Sequence, residues 1–181
     1  MAQTQATTTK TTPLTAIELY CRQEADTASL AQQLAASFER FLTKQPGSHL
    51  NISLEGDLGA GKTTFARYLI QALGHDGKVK SPTYTLCEPY PLQLKEQAIT
   101  VHHFDLYRMR DPLEWQEAGF AEHFDVPGIC LIEWPEKAED TLPAFDIQIQ
   151  LSAGADEHER TIKINSLSSS GTSALQEIKP K

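Results

Sequence analysis

The chain has 181 residues, a length suited to one domain, and its 40% hydrophobic content supplies apolar material for a single core. Its formal charge of −8 argues against direct wrapping around nucleic acid, which depends on clustered Lys and Arg. No apolar run approaches the roughly 20 residues that cross a bilayer, and the polar start lacks a secretory signal's apolar segment, so a cytoplasmic protein is expected.

Met1 to Pro13 is rich in Thr, Gln and Ala without apolar periodicity, and is expected to be a disordered tail. Ile17 to Cys21 reads as a first strand, and Asp26 as the cap of a helix carrying Leu30, Leu34, Phe38 and Phe41 on one face. Pro46-Gly47 turns the chain into a strand in which Leu50, Ile52 and Leu54 alternate with polar residues. After the glycine-rich stretch that follows, Phe65, Leu69 and Leu73 recur at helical spacing up to Gly74, a C-terminal stop. Tyr84 to Glu88 and Ile99 to Phe104 read as strands joined by a proline-containing connection around Pro89 to Gln97, and Asp111-Pro112 as a helix start. Ile129 to Ile132 has the continuous apolar character of a buried strand. Phe145, Ile147, Ile149 and Leu151 alternate as a half-buried one, with Ile162 and Ile164 pairing back across a polar hairpin tip, Ser152 to Glu159. Leu167 to Lys181 is largely Ser, Gly and Lys and is expected to be a flexible tail, which leaves residues 14–166 as the domain. Cys21, Cys87 and Cys130 are odd in number and far apart, without the spacing of a zinc site or a disulfide framework, and no disulfide partner is expected.

Gly56-Asp57-Leu58-Gly59-Ala60-Gly61-Lys62-Thr63 fits G-x-x-x-x-G-K-[ST] and stands between a strand and a helix, the context a phosphate-binding loop requires. Glycines let backbone N–H groups from Asp57 to Thr64 turn around phosphate oxygens, and the following helix points its positive end at the same anion. Lys62 is placed to reach the β- and γ-phosphates, and the Thr63 hydroxyl to bind Mg²⁺, whose oxygen preference suits a nucleoside triphosphate. Thr64 is a candidate for the α-phosphate.

Three other segments bear on what happens to the nucleotide. Asp105 ends a strand, where a carboxylate holds Mg²⁺ directly or through water, or else simply makes a turn. Ser81-Pro82-Thr83 is either a Pro-initiated turn or a segment whose Thr83 hydroxyl senses the γ-phosphate and metal. Glu133 and Trp134 follow the buried strand and reach the same sheet edge as the loop, Glu133 to orient or activate water and Trp134 to stack on the base or to pack at the rim. His102, His103 and His123 share no ligand spacing, alternation puts the adjacent pair on opposite faces, and all three read as structural. Trp115, Phe120 and Phe124 read as core.

Gly56 to Phe65, Ser81-Pro82-Thr83-Tyr84-Thr85-Leu86, His103-Phe104-Asp105-Leu106-Tyr107-Arg108 and Glu133-Trp134-Pro135-Glu136, in this order, together resemble the bacterial TsaE family. The resemblance covers roughly Leu14 to Ser166. It implies an α/β fold, a single P-loop NTPase domain with a mixed, largely parallel central sheet flanked by helices. It further implies the ATPase component of the machinery that makes threonylcarbamoyladenosine in tRNA, binding ATP or ADP with Mg²⁺ and assisting the TsaB–TsaD pair that performs the transfer, with tRNA met only indirectly. By motif, Lys62 and Thr63 resemble the phosphate and Mg²⁺ ligands, Thr83 the switch-like threonine, Asp105 the metal-side carboxylate, and Glu133 with Trp134 the strand-end pair. No N/T-K-x-D motif for guanine is present, so adenine is expected. The same loop also supports phosphoryl transfer to a hydroxyl, but small-molecule kinases usually close an Arg-rich lid, and this chain has only six Arg.

Overall fold

A central strand, β2 (His49–Glu55), leads into the glycine loop, and every residue from Leu50 to Leu54 is buried, the polar Asn51 and Ser53 included. That burial follows from its neighbours, because β5 (Gly128–Glu133) and β6 (Ile147–Ala153) flank it in parallel register on either side. The computed structural model describes residues 12–178. With β4 (Gln97–Asp105) parallel to β5, four strands form a parallel block, and antiparallel strands close both edges. On one side lie β7 (Arg160–Ser166) and then β1 (Thr15–Cys21), on the other β3 (Cys87–Leu94), giving the order β1-β7-β6-β2-β5-β4-β3. The sheet is therefore mixed, with its parallel part confined to the centre.

Helices α1 (Glu24–Lys44) and α2 (Lys62–Ala72) cover one face, where Phe38, Leu42, Phe65 and Leu69 meet Ile52, Leu131, Ile149 and Ile164. On the opposite face Phe104, Cys130 and Ile132 are covered by Trp115 from the single turn α3 (Glu114–Glu117) and by Phe124 from a following 3₁₀ turn. Phe120 packs against the same cluster, so the three aromatics do form core. Farther along this face, over β6 and β7, a trough of about 990 Å³ is lined by polar residues such as Glu18, Glu55, Gln148 and Lys163 and by apolar ones such as Leu142 and Phe145.

Several local expectations shift. The α1 cap is Gln23, and Asp26 lies three residues inside the helix, its Oδ2 accepting from the backbone N–H groups of Arg22 and Gln23 at 2.9 and 3.2 Å. Pro89 and Pro91 are not a connection but part of β3, while Thr83 to Thr85 form a turn. Proline is tolerated there because β3 is an edge strand, and N–H groups two residues apart point the same way, outward. The C-terminal residues also depart from a flexible tail. Ser168 caps α4 (Ser169–Ala174), whose Ala174 carbonyl accepts from Ser37 Oγ on α1, and Leu175 and Ile178 are buried in the main core. A Cβ on Gly171 would lie 2.0 Å from Asp146 O, so only glycine permits α4 to sit this close. Of the N-terminal segment 1–13, residues 1–11 fall outside the described residues.

Candidate nucleotide site

The loop from Gly56 to Gly61 gathers at the carboxyl edge of the parallel strands, the usual position for ligands in such sheets. Gly56 leaves β2 where a Cβ would come within 2.4 Å of Leu151 O on β6, and Gly61 enters α2 at φ +97°. Both positions need glycine, one for closeness and the other for a left-handed backbone. The first N–H groups of α2, those of Lys62, Thr63 and Thr64, have no partner within the helix and converge with its positive end. The Lys62 ammonium donates to Gly56 O and Asp57 O at 2.5 and 2.9 Å, resting against its own loop. Burial pushes its pKa below the usual lysine value, opposed by the nearby Glu133, Glu136, Asp105 and Asp57.

Register brings the two candidate carboxylates together, since Asp105 on β4 is directly paired with Glu133 on β5. Their partners differ. Thr63 Oγ1 lies 3.0 Å from both carboxylate oxygens of Glu133, which is only 2% exposed. Asp105 instead accepts from Ser81 Oγ at 2.9 Å and from the Tyr107 backbone N–H at 3.1 Å, and Ser81 in turn contacts Thr83 Oγ1 at 2.8 Å. Asp105 and Thr83 thus form one polar unit, and Thr63 and Glu133 another. A cleft of about 440 Å³ joins them and is lined by Leu58, Gly59, Gly61, Lys62, Thr63 and Thr64 of the loop as well as by Thr83, Asp105, Glu133 and Trp134.

Trp134 has a left-handed backbone, φ 58°, that brings its ring back over the loop. The Lys62 Nζ lies 4.0 Å from the ring centroid, and Tyr107 packs on the ring at 4.9 Å. Trp134 therefore stands beside Lys62 at one end of the loop. Ala60 marks the other end, its carbonyl accepting from Arg160 Nε at 2.8 Å, while Arg160 Nη1 holds the carbonyls of Glu157 and Glu159. Arg160 ties the β6–β7 hairpin to the loop and lines the same cleft.

Two of these residues escaped the sequence. Arg160 follows an acidic turn with no phosphate motif, and its contact spans 100 positions. His103 read as structural, yet its Nε2 lies 2.8 Å from Glu133 Oε1, with the ring wholly buried. Its motif neighbour Asp105, two residues on and hence on the same strand face, was the available signal. His102 points the other way and stacks on His123 at 4.0 Å. The thiols of Cys21, Cys87 and Cys130 are buried and free, and burial raises each pKa, that of Cys87 to about 12.

A glycine loop between a parallel strand and a helix, facing a polar strand edge, defines a nucleotide-binding protein of the P-loop NTPase fold. The family described as "Threonylcarbamoyl adenosine biosynthesis protein TsaE" matches residues 21–162, and the chain belongs to that family. Among its relatives is the tRNA threonylcarbamoyladenosine biosynthesis protein TsaE of Bacillus subtilis, 39% identical over 137 residues, 75% of this chain and 78% of the relative. Its namesake in Rickettsia felis is 36% identical over 161 residues, 87% of this chain and 86% of that one. The Haemophilus influenzae TsaE is 49% identical over 100 residues, a match spanning 55% of this chain and 61% of that relative, less than two thirds of its length. The crystal structure of Bacillus subtilis YdiB superposes with a TM-score of 0.68 at 28% identity, covering 90% of this chain and 93% of that one. No helix among the described residues is long and apolar enough to cross a membrane.

Proposed function

We propose that this chain is a cytoplasmic, Mg²⁺-dependent ATPase serving threonylcarbamoyladenosine formation in tRNA, hydrolysing ATP weakly alone and more strongly with the TsaB–TsaD pair. The observation that carries the reading is the Thr63–Glu133 contact, which sets a buried carboxylate against the hydroxyl of the phosphate loop. Family membership supports the pathway.

The donor set suits Mg²⁺. Thr63, Glu133 and Asp105 offer only oxygen at one strand edge, and no group of three or more His, Cys, Asp or Glu among the described residues forms a protein-only metal cage. Mg²⁺ typically takes one or two carboxylates and completes its shell with water and phosphate. Thr63 would hold it, with Asp105 reaching it directly or through water. Bound there, it would neutralise charge developing on the phosphate oxygens. The loop N–H groups bind the phosphates, and Lys62, turning away from Gly56 O and Asp57 O, grips the β- and γ-phosphates. Glu133 orients the attacking water, and Thr83, linked to Asp105 through Ser81, responds to the γ-phosphate. Two arginines line the cleft, and both have other partners: Arg108 lies 4.8 Å over the exposed Tyr84 ring, and Arg160 holds the carbonyls of Ala60, Glu157 and Glu159. An arginine finger is worth roughly 10³ to 10⁵ in rate, and with both arginines held elsewhere turnover alone is expected to be slow.

The test is phosphate release from Mg·ATP by the purified chain, alone and with TsaB–TsaD, using Lys62→Ala as the blank. Strong stimulation by the pair is expected. Turnover alone on the order of tens per second would refute partner dependence, and phosphate appearing on a small metabolite would favour a kinase.

A further inference from the structure

We propose that His103 is a positioning residue for ATP hydrolysis, anchoring the Glu133 carboxylate through an Nε2–H hydrogen bond so that it stays aimed when Thr63 turns to metal and phosphate. The inference rests on the hydrolytic role of Glu133 given above.

Glu133 is approached from two sides, by Thr63 Oγ1 from α2 and by His103 Nε2 from the adjacent strand β4. An ionised carboxylate can only accept hydrogen bonds, so the ring nitrogen facing it carries the hydrogen. His103 Nδ1 is buried and has no partner. A hydrogen on Nδ1 would leave a donor unsatisfied where no water reaches, whereas a bare ring nitrogen there is the milder loss. The geometry thus selects one tautomer, with Nε2–H toward Glu133.

The two contacts on Glu133 are not equivalent. Thr63 sits at the mouth of the cleft, and its oxygen is the one a loaded site recruits. His103 is wholly buried on a strand whose register against β5 is fixed by the ladder, and it has no ligand to turn to. It contacts Oε1, leaving Oε2 for water. Without this anchor the carboxylate can rotate about its own side-chain bonds, and misplacement by about 1 Å can cost on the order of 10²-fold in rate. Binding depends on the loop and Lys62, so the loss falls on turnover.

His103→Leu removes the donor, and His103→Gln keeps an amide N–H at a similar reach. Turnover with TsaB–TsaD present should fall at least about tenfold in His103→Leu with the KM for ATP changed less than about threefold, and His103→Gln should recover most of it. In nucleotide-free protein labelled with ¹⁵N-histidine, the His103 ring should show the Nε2–H tautomer, a readout independent of activity. Unchanged turnover in His103→Leu, an Nδ1–H tautomer, or a folded His103→Gln as impaired as a tenfold loss would each overturn the proposal. Glu133→Gln serves as the reference. Full turnover in that variant would sink the hydrolytic role of Glu133, while a slow Glu133→Gln beside a normal His103→Leu would sink the anchor alone.

Discussion

The two faces of β4 treat neighbouring histidines in opposite ways. On one face His103 Nε2 contacts the Glu133 carboxylate, which Thr63 of the phosphate loop also contacts. One residue earlier, on the other sheet face, His102 stacks on His123; the Nδ1 atoms of both His102 and His103 are buried without a partner, so the contrast lies in what the rest of each ring meets. A single step along β4 separates a ring held by a charge from one held by packing, because strand alternation sends adjacent side chains to different layers. The lesson is that burial alone does not mark a site; what marks it is which polar groups the ladder brings within reach.

The largest effect that could break this contrast is at Glu133. Glu133→Gln keeps the volume and removes the charge, and should lower partner-stimulated turnover by roughly 10²-fold while nucleotide affinity, measured by calorimetry, moves by less than about threefold. Lost binding with unchanged residual turnover would instead make Glu133 a ligand for the nucleotide complex.

A region remote from both histidines comes next. Leu175 follows α4 and is 4% exposed, so Leu175→Ala should cost about 2 to 3 kcal/mol by denaturant titration. A cost near zero would return the C-terminal segment to a loose tail.

The histidine contrast itself has a pH signature. Burial, with the nearby His123 and His49, pushes the His102 pKa down to about 4 from 6.5. The folded protein then binds fewer protons than the unfolded chain between these values, so this contribution is complete above about pH 6.5 and lost as pH falls toward 4. The loss should be on the order of 3 kcal/mol, and His102→Leu should show a correspondingly shallower decline in stability across that window. Parallel declines in the two proteins would show that His102 is not the group responsible.

What could be read from the chain beforehand follows the range of the interactions. The β2–loop–α2 unit was legible because strand alternation, glycines and helical spacing are all contiguous, and the strand-end positions of Asp105 and Glu133 followed from the apolar runs before them. The prolines of β3 were misplaced because edge position is a property of sheet order, which no local window contains. α4 was missed because Ser, Gly and Thr are weak helix formers, and tertiary contacts with Ser37 and the main core hold it. His103 and Arg160 needed the ladder to bring them to the loop.

Trp134 provides the smallest and most discriminating change. Its sequence context allowed either a base-stacking ring or rim packing, whereas its ring lies over Lys62 Nζ and against Tyr107. A cation–π contact of this kind is worth about 0.5 to 2 kcal/mol, and it orients the ammonium in the nucleotide-free site. Trp134→Ala should therefore weaken ATP and ADP by similar factors of about 3 to 10, with no change in preference for adenine over guanine. A ring that stacked on the base would shift that preference on removal. Measuring ATP and GTP affinities for the parent protein and for Trp134→Ala separates the two roles, because the phosphate end is shared by ATP and GTP while the base is not.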